Sequence, residues 1–128
     1  MAELNHTIVP CSDKMRSSAF LADILGLPPA ERHPVFMIVR LANGVSLDFD
    51  QVEGGIVSQH YAFLVSDEEF DASLARVRAR DLAYWADPGR TKPNEIARLR
   101  GARGFYFDDP DGHFLELMTR MHEGEEDI

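Results

Sequence analysis

The sequence has 128 residues, of which 45% are hydrophobic and 27% charged, values typical of a single globular domain. Its 22 acidic and 13 basic residues give a formal net charge of -9, which argues against binding to nucleic acid or to an anionic membrane. There is no apolar run near the roughly 20 residues of a membrane span and no signal-peptide pattern, so we expect a cytoplasmic protein. Cys11 is the sole cysteine, which excludes an intramolecular disulfide and a zinc site built on several cysteines.

Two pairs of segments repeat along the chain in the same order. Residues 6–13 and 60–67 each contain a histidine, five residues of strand character and then Ser-Asp, which is a typical start of a helix. Residues 43–49 and 111–117 each begin with a turn pair, Asn-Gly or Asp-Gly, that favours a tight hairpin. We therefore predict two related modules, residues 1–53 and 57–121, followed by an acidic tail at 122–128.

Each module is predicted to contain one helix. In the first, Ser12 is the expected cap and Gly26 the end, with an apolar face formed by Phe20, Ile24 and Leu27. In the second, Ser66 and Glu69 form the pattern of a capping box, and the apolar residues that follow at helical spacing are Phe70, Leu74 and Val77.

The strands complete the predicted fold. Beyond the two opening strands, we expect strands at Val35–Leu41, Val45–Asp50, Gly104–Phe107 and His113–Thr119, with a further short strand near 32–36 or 82–85. The stretch from Ala86 to Gly104 is rich in Gly and Pro and is predicted to be a long loop without regular structure. The chain is thus predicted to be an α+β domain of two β-α-β-β-β modules that form a curved, mainly antiparallel sheet around a cleft.

Four side chains that can bind a metal occupy equivalent places in the two modules. His6 and His60 lie in the opening strands, and Asp48 and Glu116 lie in the closing strands. Glu116 stands between two leucines in a strand expected to be half buried, where an unpaired carboxylate is costly. Two imidazoles and one carboxylate suit a divalent first-row ion and leave coordination positions open for a substrate.

These segments resemble the vicinal oxygen chelate superfamily, which includes glyoxalase I, fosfomycin-resistance transferases, extradiol dioxygenases and bleomycin-binding proteins. The resemblance covers nearly the whole chain. It is carried by residues 4–8, by the helix that ends in Leu25-Gly26-Leu27, by residues 60–63 and most specifically by residues 104–116.

The resemblance implies a metal centre. His6, His60 and Glu116 match the ligands of the family, with Asp48 as a candidate fourth ligand and Glu116 as the expected catalytic residue. The implied cofactor is one divalent ion, Fe, Zn, Ni, Mn or Co. The implied assembly is a homodimer, in which the ligands come from one chain or are shared between two.

The implied activity is that of a metal-dependent enzyme, a lyase, transferase or dioxygenase, that coordinates an oxygen-bearing small molecule and stabilises an oxyanion. The alternative is a metal-free protein that binds a small molecule or an antibiotic, as bleomycin-binding relatives do. The basic segment that follows the last strand in fosfomycin enzymes is replaced here by an acidic tail. The residues expected to line the pocket by position are Phe36, Ile38, Ser46, Tyr61, Trp85, Arg103 and Tyr106.

Overall fold

A computed structural model describes residues 1–120, so the predicted acidic tail lies outside the described residues. The described chain divides into two compact units. The first contains residues 1–57 together with 109–111, and the second contains residues 58–108 and those from 112 onward. Neither helix within residues 1–120 is long and apolar enough to cross a membrane.

The first unit is a four-stranded sheet with one helix. In chain order its elements are β1 (His6–Cys11), α1 (Lys14–Leu25), β2 (Glu31–Arg32), β3 (Met37–Arg40) and β4 (Ser46–Gln51). The strand order is β1-β4-β3-β2, in which β1 and β4 are parallel and the other pairs antiparallel. A parallel pair needs a long crossover between its strands, and here that crossover contains α1 and the two short strands.

The second unit repeats this plan with one additional strand. Its elements are β5 (His60–Val65), α2 (Asp67–Ala79), β6 (Tyr84–Trp85), β7 (Ala97–Leu99), β8 (Ala102–Asp108) and β9 (Phe114–Thr119). The order is β5-β9-β8-β6 with β7 also paired to β8, and β5 and β9 are the parallel pair. The predicted α+β class with two β-α-β-β-β modules is confirmed, and each unit has its own mixed sheet.

Strand periodicity separates the two faces of the second sheet. Leu115, Leu117 and Thr119 of β9 are buried, whereas the residues between them are only half buried. The buried face packs on α2, where the ring of Phe70 meets the ring of Phe105 edge-on at 5.2 Å between centroids. The other face of the same strands is therefore the one on which side chains reach the surface.

The structure confirms the predicted cap of α2 but contradicts the predicted cap of α1. Ser66 and Glu69 form the predicted capping box of α2. The cap of α1 is Asp13, which accepts hydrogen bonds from the backbone N–H groups of residues 15 and 16, and not Ser12 as predicted. Both residues are good caps, and Ser12 instead binds another carboxylate. Of the predicted apolar face of α1, Ile24 is fully buried, whereas Phe20 and Leu27 are half buried; the other buried residues of the helix include Ser17, Leu21 and Leu25.

The loop from residue 86 to 104 is more ordered than predicted. Residues Ala97–Leu99 form β7, which pairs antiparallel with β8, so irregular backbone ends at residue 96. The two predicted hairpin turns are confirmed, and Gly44 and Gly112 have φ angles of +86° and +85°. Glycine adopts such positive φ angles without a steric penalty.

Asp111 anchors its segment within the first unit. Its carboxylate accepts hydrogen bonds from the Ser12 hydroxyl at 2.6 Å and from the Ser17 hydroxyl at 2.9 Å. Burial alone would raise the pKa of Asp111, but these hydrogen bonds and the charge of Arg16 outweigh it and lower the pKa. The ionised form of Asp111 therefore stabilises the fold.

This anchor predicts a loss of stability in acid. The folded pKa of Asp111 lies below its ordinary value of 3.8, so its contribution is complete above pH 3.8 and disappears as the pH falls further. We expect Asp111→Asn to lower the free energy of unfolding at neutral pH by about 1–3 kcal/mol, because charged hydrogen bonds are lost. Urea unfolding measured across the acid range checks this, with Glu53→Gln as the exposed control. Equal stabilities of the Asp111 variant and the wild type would contradict it.

Candidate metal centre

The pairing of β5, β8 and β9 places three polar side chains on one face of the second sheet. Ala62 and Tyr106 are the partners of Glu116 on its two sides, and His60 lies two residues before Ala62. Residues two apart in a strand point to the same face, as do partners in neighbouring strands. His60, Tyr106 and Glu116 therefore share the face that does not pack on α2.

His60 and Glu116 are in direct contact on this face. The Nε2 atom of His60 lies 3.1 Å from Oε1 of Glu116. Nδ1 of His60 lies 2.9 Å from the carbonyl oxygen of Phe114, and because a carbonyl only accepts, Nδ1 is the donor. The His60 side chain is 49% exposed and that of Glu116 is 15% exposed, so the pair opens to solvent from the histidine side.

The donor set fits a divalent metal ion. With its proton on Nδ1, a neutral His60 presents a lone pair on Nε2, and the hydrogen bond to a backbone carbonyl is the usual support of a metal-bound histidine. The two donor atoms, Nε2 of His60 and Oε1 of Glu116, lie 3.1 Å apart, close enough for one ion to be held by both. Without a metal, the same contact requires a proton between Nε2 and the carboxylate.

Tyr106 completes the surroundings of Glu116. Its hydroxyl is hydrogen-bonded to the Glu116 carboxylate. Burial raises the pKa of Tyr106, and the negative charge of Glu116 and this hydrogen bond raise it further. The phenol therefore keeps its proton at neutral pH and acts as a donor toward Glu116.

An aromatic wall continues from this group along the sheet. We use this name for Trp85, Tyr106 and Phe114 with the guanidinium of Arg90. The rings of Tyr106 and Phe114 stack at 5.3 Å with an interplanar angle of 14°, and the His60 ring lies 6.3 Å and 5.8 Å from them. The Arg90 guanidinium lies 4.5 Å from the Trp85 ring centroid and 4.3 Å from that of Phe114.

The turn at residues 87–92 presents Arg90 to this wall. Asp87 accepts hydrogen bonds from the Thr91 hydroxyl and backbone N–H, and from the backbone N–H of Lys92. Arg90 itself has a φ of +59°, a left-handed conformation that is uncommon for a residue other than glycine. Its guanidinium also forms two parallel hydrogen bonds with Asp108, at 2.7 Å and 2.8 Å.

The other two predicted ligands belong to the first unit. His6 is exposed, and its Nδ1 lies 2.7 Å from the side-chain oxygen of Asn5. Asp48 is 8% exposed and accepts a hydrogen bond from the Ser46 hydroxyl at 3.0 Å. Among residues 1–120, no three His, Cys, Asp or Glu side chains gather closely enough to hold a metal ion. The structure thus brings together His60 and Glu116 from the predicted set.

The residues predicted to line the pocket occupy several places. Trp85 and Tyr106 are in the aromatic wall, whereas Phe36, Ile38 and Ser46 belong to the first unit. Tyr61 lies one residue from His60 and meets the buried His113 ring edge-on. Arg103 lies on the face that packs on α2, with its guanidinium 4.4 Å from the Phe70 ring centroid.

Two residues of the wall, Phe114 and Arg90, are absent from the predicted set, as is Asp108, the carboxylate partner of Arg90. Phe114 could have been found from the sequence, because it stands two residues before Glu116 in the same strand and must share its face. Arg90 and Asp108 give no such signal. Asp87-Pro88-Gly89 predicts a turn, but it does not predict that the turn brings Arg90 to Asp108.

Arg103 is expected to support the fold rather than the metal centre. It binds Asp67 at 2.9 Å and Asp71 at 2.7 Å, and its side chain is only 17% exposed. We expect Arg103→Met to lower the free energy of unfolding by about 1 kcal/mol, because ion pairs and a cation–π contact are lost. Thermal unfolding and metal analysis of the same samples check this. A folded variant with an altered metal content would contradict it.

Comparisons with known proteins agree on one family. The model of the Glyoxalase/Bleomycin resistance protein/Dioxygenase superfamily matches residues 3–117. The chain is 32% identical over 123 residues to glutathione transferase FosA of Serratia marcescens, covering 91% of this chain and 80% of that protein. The solved structure of oxidase ChaP-H1 has 52% identity and a TM-score of 0.92, covering 97% of this chain and 100% of that one. Oxidase ChaP-H2 has 50% identity and a TM-score of 0.90, covering 95% and 96%.

These relatives confirm the interpretation of the sequence at the level of the fold and of the general function. The resemblance to the vicinal oxygen chelate superfamily is confirmed by the matching family model. The prediction of an enzyme of that type is confirmed in this general form, because the similar proteins are named as a transferase and as oxidases.

Proposed function

Because the chain belongs to the glyoxalase/bleomycin resistance protein/dioxygenase superfamily, we propose that it is a metal-dependent oxidase of an oxygen-bearing small molecule. The observation that carries the proposal is the contact of His60 Nε2 with Glu116 Oε1 at 3.1 Å, on a face that also holds an aromatic wall. Two histidines and one carboxylate are the ligand set of many iron enzymes that use oxygen.

The similarity favours an oxidase over a transferase. The two oxidases share about half of their residues with this chain, and the transferase about a third. The charges of the second unit point in the same direction. Arg90, whose guanidinium lies over two rings of this sheet, is paired with Asp108, so it is not free to bind an anionic head group.

The proposed centre uses His60 and Glu116 of one chain and His6 of a second copy. A homodimer is the common assembly of small oligomeric proteins, and a twofold axis would form the centre twice. Asp48 is the positional equivalent of Glu116, since the partner of Ile8 in β4 is Asp48 just as the partner of Ala62 in β9 is Glu116. Its carboxylate is shorter, buried and bound to Ser46, so we assign it a structural role.

The chain's own residues would prepare the substrate for reaction. When bound, a divalent ion of the group Fe, Zn, Ni, Mn or Co supplies Lewis-acid chemistry that stabilises negative charge on a substrate oxygen. Glu116 supplies a carboxyl group at the centre, and the Tyr106 hydroxyl, whose pKa is raised by burial and by Glu116, keeps a proton beside it. The stacked rings of Tyr106 and Phe114 offer a flat surface against which a planar substrate can be oriented.

Metal analysis tests the proposed centre. We expect wild-type protein purified without chelator to hold a stoichiometric divalent ion, and His60→Ala and Glu116→Gln to lose it. Since removal of even an outer hydrogen-bond partner weakens a metal site by roughly 10–100-fold, loss of a ligand should reduce affinity at least as much. His33→Ala, which changes an exposed histidine, is the matched control. A wild-type protein without metal would contradict the proposal and favour the metal-free binding protein.

Mixing variants tests the shared site. His6→Ala and His60→Ala should each lose the metal when prepared alone. If the ligands come from two chains, a mixed dimer contains one intact centre, so co-expression should restore about one quarter of the sites. Metal content per chain of the co-expressed protein is the measurement. A mixture that stays without metal, although each variant forms dimers, would contradict sharing between chains.

The remaining expectations from the sequence stay predictions. These are the cytoplasmic location and the identity of the metal. An oxidation by molecular oxygen would favour iron, because iron combines affinity for histidine and carboxylate with redox activity.

A further inference from the structure

Arg90, which lies in the turn beside the second sheet, forms a close ion pair with a carboxylate. The Arg90 guanidinium and the Asp108 carboxylate form a bidentate pair, with both side chains partly exposed at 40% and 37%. Asp108 is the strand partner of Phe114, the residue on whose ring the guanidinium lies. The pair therefore stands in the aromatic wall, separated from the Tyr106 and Glu116 pair by a single ring.

An unpaired arginine at this place would attract anions. Its planar fork of N–H donors matches phosphate and phosphonate groups, and stacking on two rings would hold it ready for them. Asp108 occupies the side of the guanidinium that such a ligand would use. The negative charge of Asp87 also acts on Tyr106, so the acidic groups here further disfavour an anion.

The pair is held in place from several directions. Arg90 has a left-handed backbone, and the hydrogen bonds of Asp87 fix the turn that carries it. A residue other than glycine keeps such a conformation only when its surroundings stabilise it. The bidentate pairing and the two ring contacts supply that stabilisation.

We propose that Asp108 is a specificity-determining residue, which cancels the charge of Arg90 and so selects uncharged planar oxygen-bearing rings over phosphate-like anions. The inference rests on the proposed function, because it takes the aromatic wall as the substrate surface beside His60 and Glu116. Asp108 occupies the hydrogen-bond donors of Arg90, so that an anion cannot use them. Disfavouring the wrong ligand in this manner is a common way to obtain specificity.

Trp85 provides a direct readout of the wall. It is the sole tryptophan of the chain, and the Arg90 guanidinium lies over its ring, so its emission reports on the position of the guanidinium. Methylphosphonate is the anionic probe, and its binding is followed by the emission of Trp85. 2-Naphthol, measured by calorimetry, is the planar uncharged probe.

The variants distinguish the release of the Arg90 guanidinium from Asp108 from the general effect of removing one negative charge. Asp108→Asn keeps the shape of the side chain and removes its charge. Asp71→Asn is the matched control, since it makes the same change at a partner of Arg103 on the opposite face of the sheet. Arg90→Gln combined with Asp108→Asn removes the released charge again.

We expect Asp108→Asn to bind methylphosphonate about tenfold or more tightly than the wild type, because one charge-assisted bidentate partner is exchanged for another. The Asp71→Asn variant and the double variant should resemble the wild type. The affinity for 2-naphthol should remain within about threefold in Asp108→Asn, since the rings are unchanged.

An unchanged affinity of Asp108→Asn for methylphosphonate would overturn the inference, as would an equal gain in the double variant. Metal content measured on the same samples distinguishes this failure from that of the proposed function. If wild type and variants hold the metal equally and the affinities do not differ, the specificity inference alone is wrong. If the wild type holds no metal, the proposed metal centre is wrong whatever the affinities are.

Discussion

The parallel pairing of β5 with β9 determines what the second unit can do. This register places Ala62 opposite Glu116 and His60 opposite Phe114, so that an imidazole from one strand and a carboxylate from the other converge. A shift by one residue would turn Glu116 toward α2 and bring a leucine to the open face. The buried residues Leu115 and Leu117 prevent such a shift, because they would lose their place in the core. The hydrophobic core thus fixes the geometry of the polar site.

The same strand alternation explains why much of the fold, and the shared face of His60 and Glu116, were predictable. Glu116 between two leucines, and a histidine opening each repeated segment, carry information that depends on strand period alone. The hairpins were predictable because Asn-Gly and Asp-Gly favour one turn geometry, and the capping box of α2 because its two partners are three residues apart. In each of these cases the deciding contact is local.

Two of the misses involve contacts between residues far apart in the sequence, and one is local. Ser12 and Asp13 are both competent caps, and the choice falls on Asp13 because the Ser12 hydroxyl binds Asp111, which is 99 residues away. The strand at Ala97–Leu99 is the local miss, because it pairs with the start of β8 across the two-residue turn Arg100-Gly101, where both residues have positive φ. Arg90 is placed by Asp87 and Asp108, so its role in the aromatic wall depends on tertiary pairing.

The burial of Cys11 has a consequence for the proposed oxidase. The thiol is fully buried in β1, and burial together with neighbouring carboxylates raises its pKa to about 11. At neutral pH only about one molecule in ten thousand would carry the thiolate, which is the form that oxidants attack. The sole cysteine sulfur is therefore protected from oxidants both by its burial and by its low fraction of thiolate.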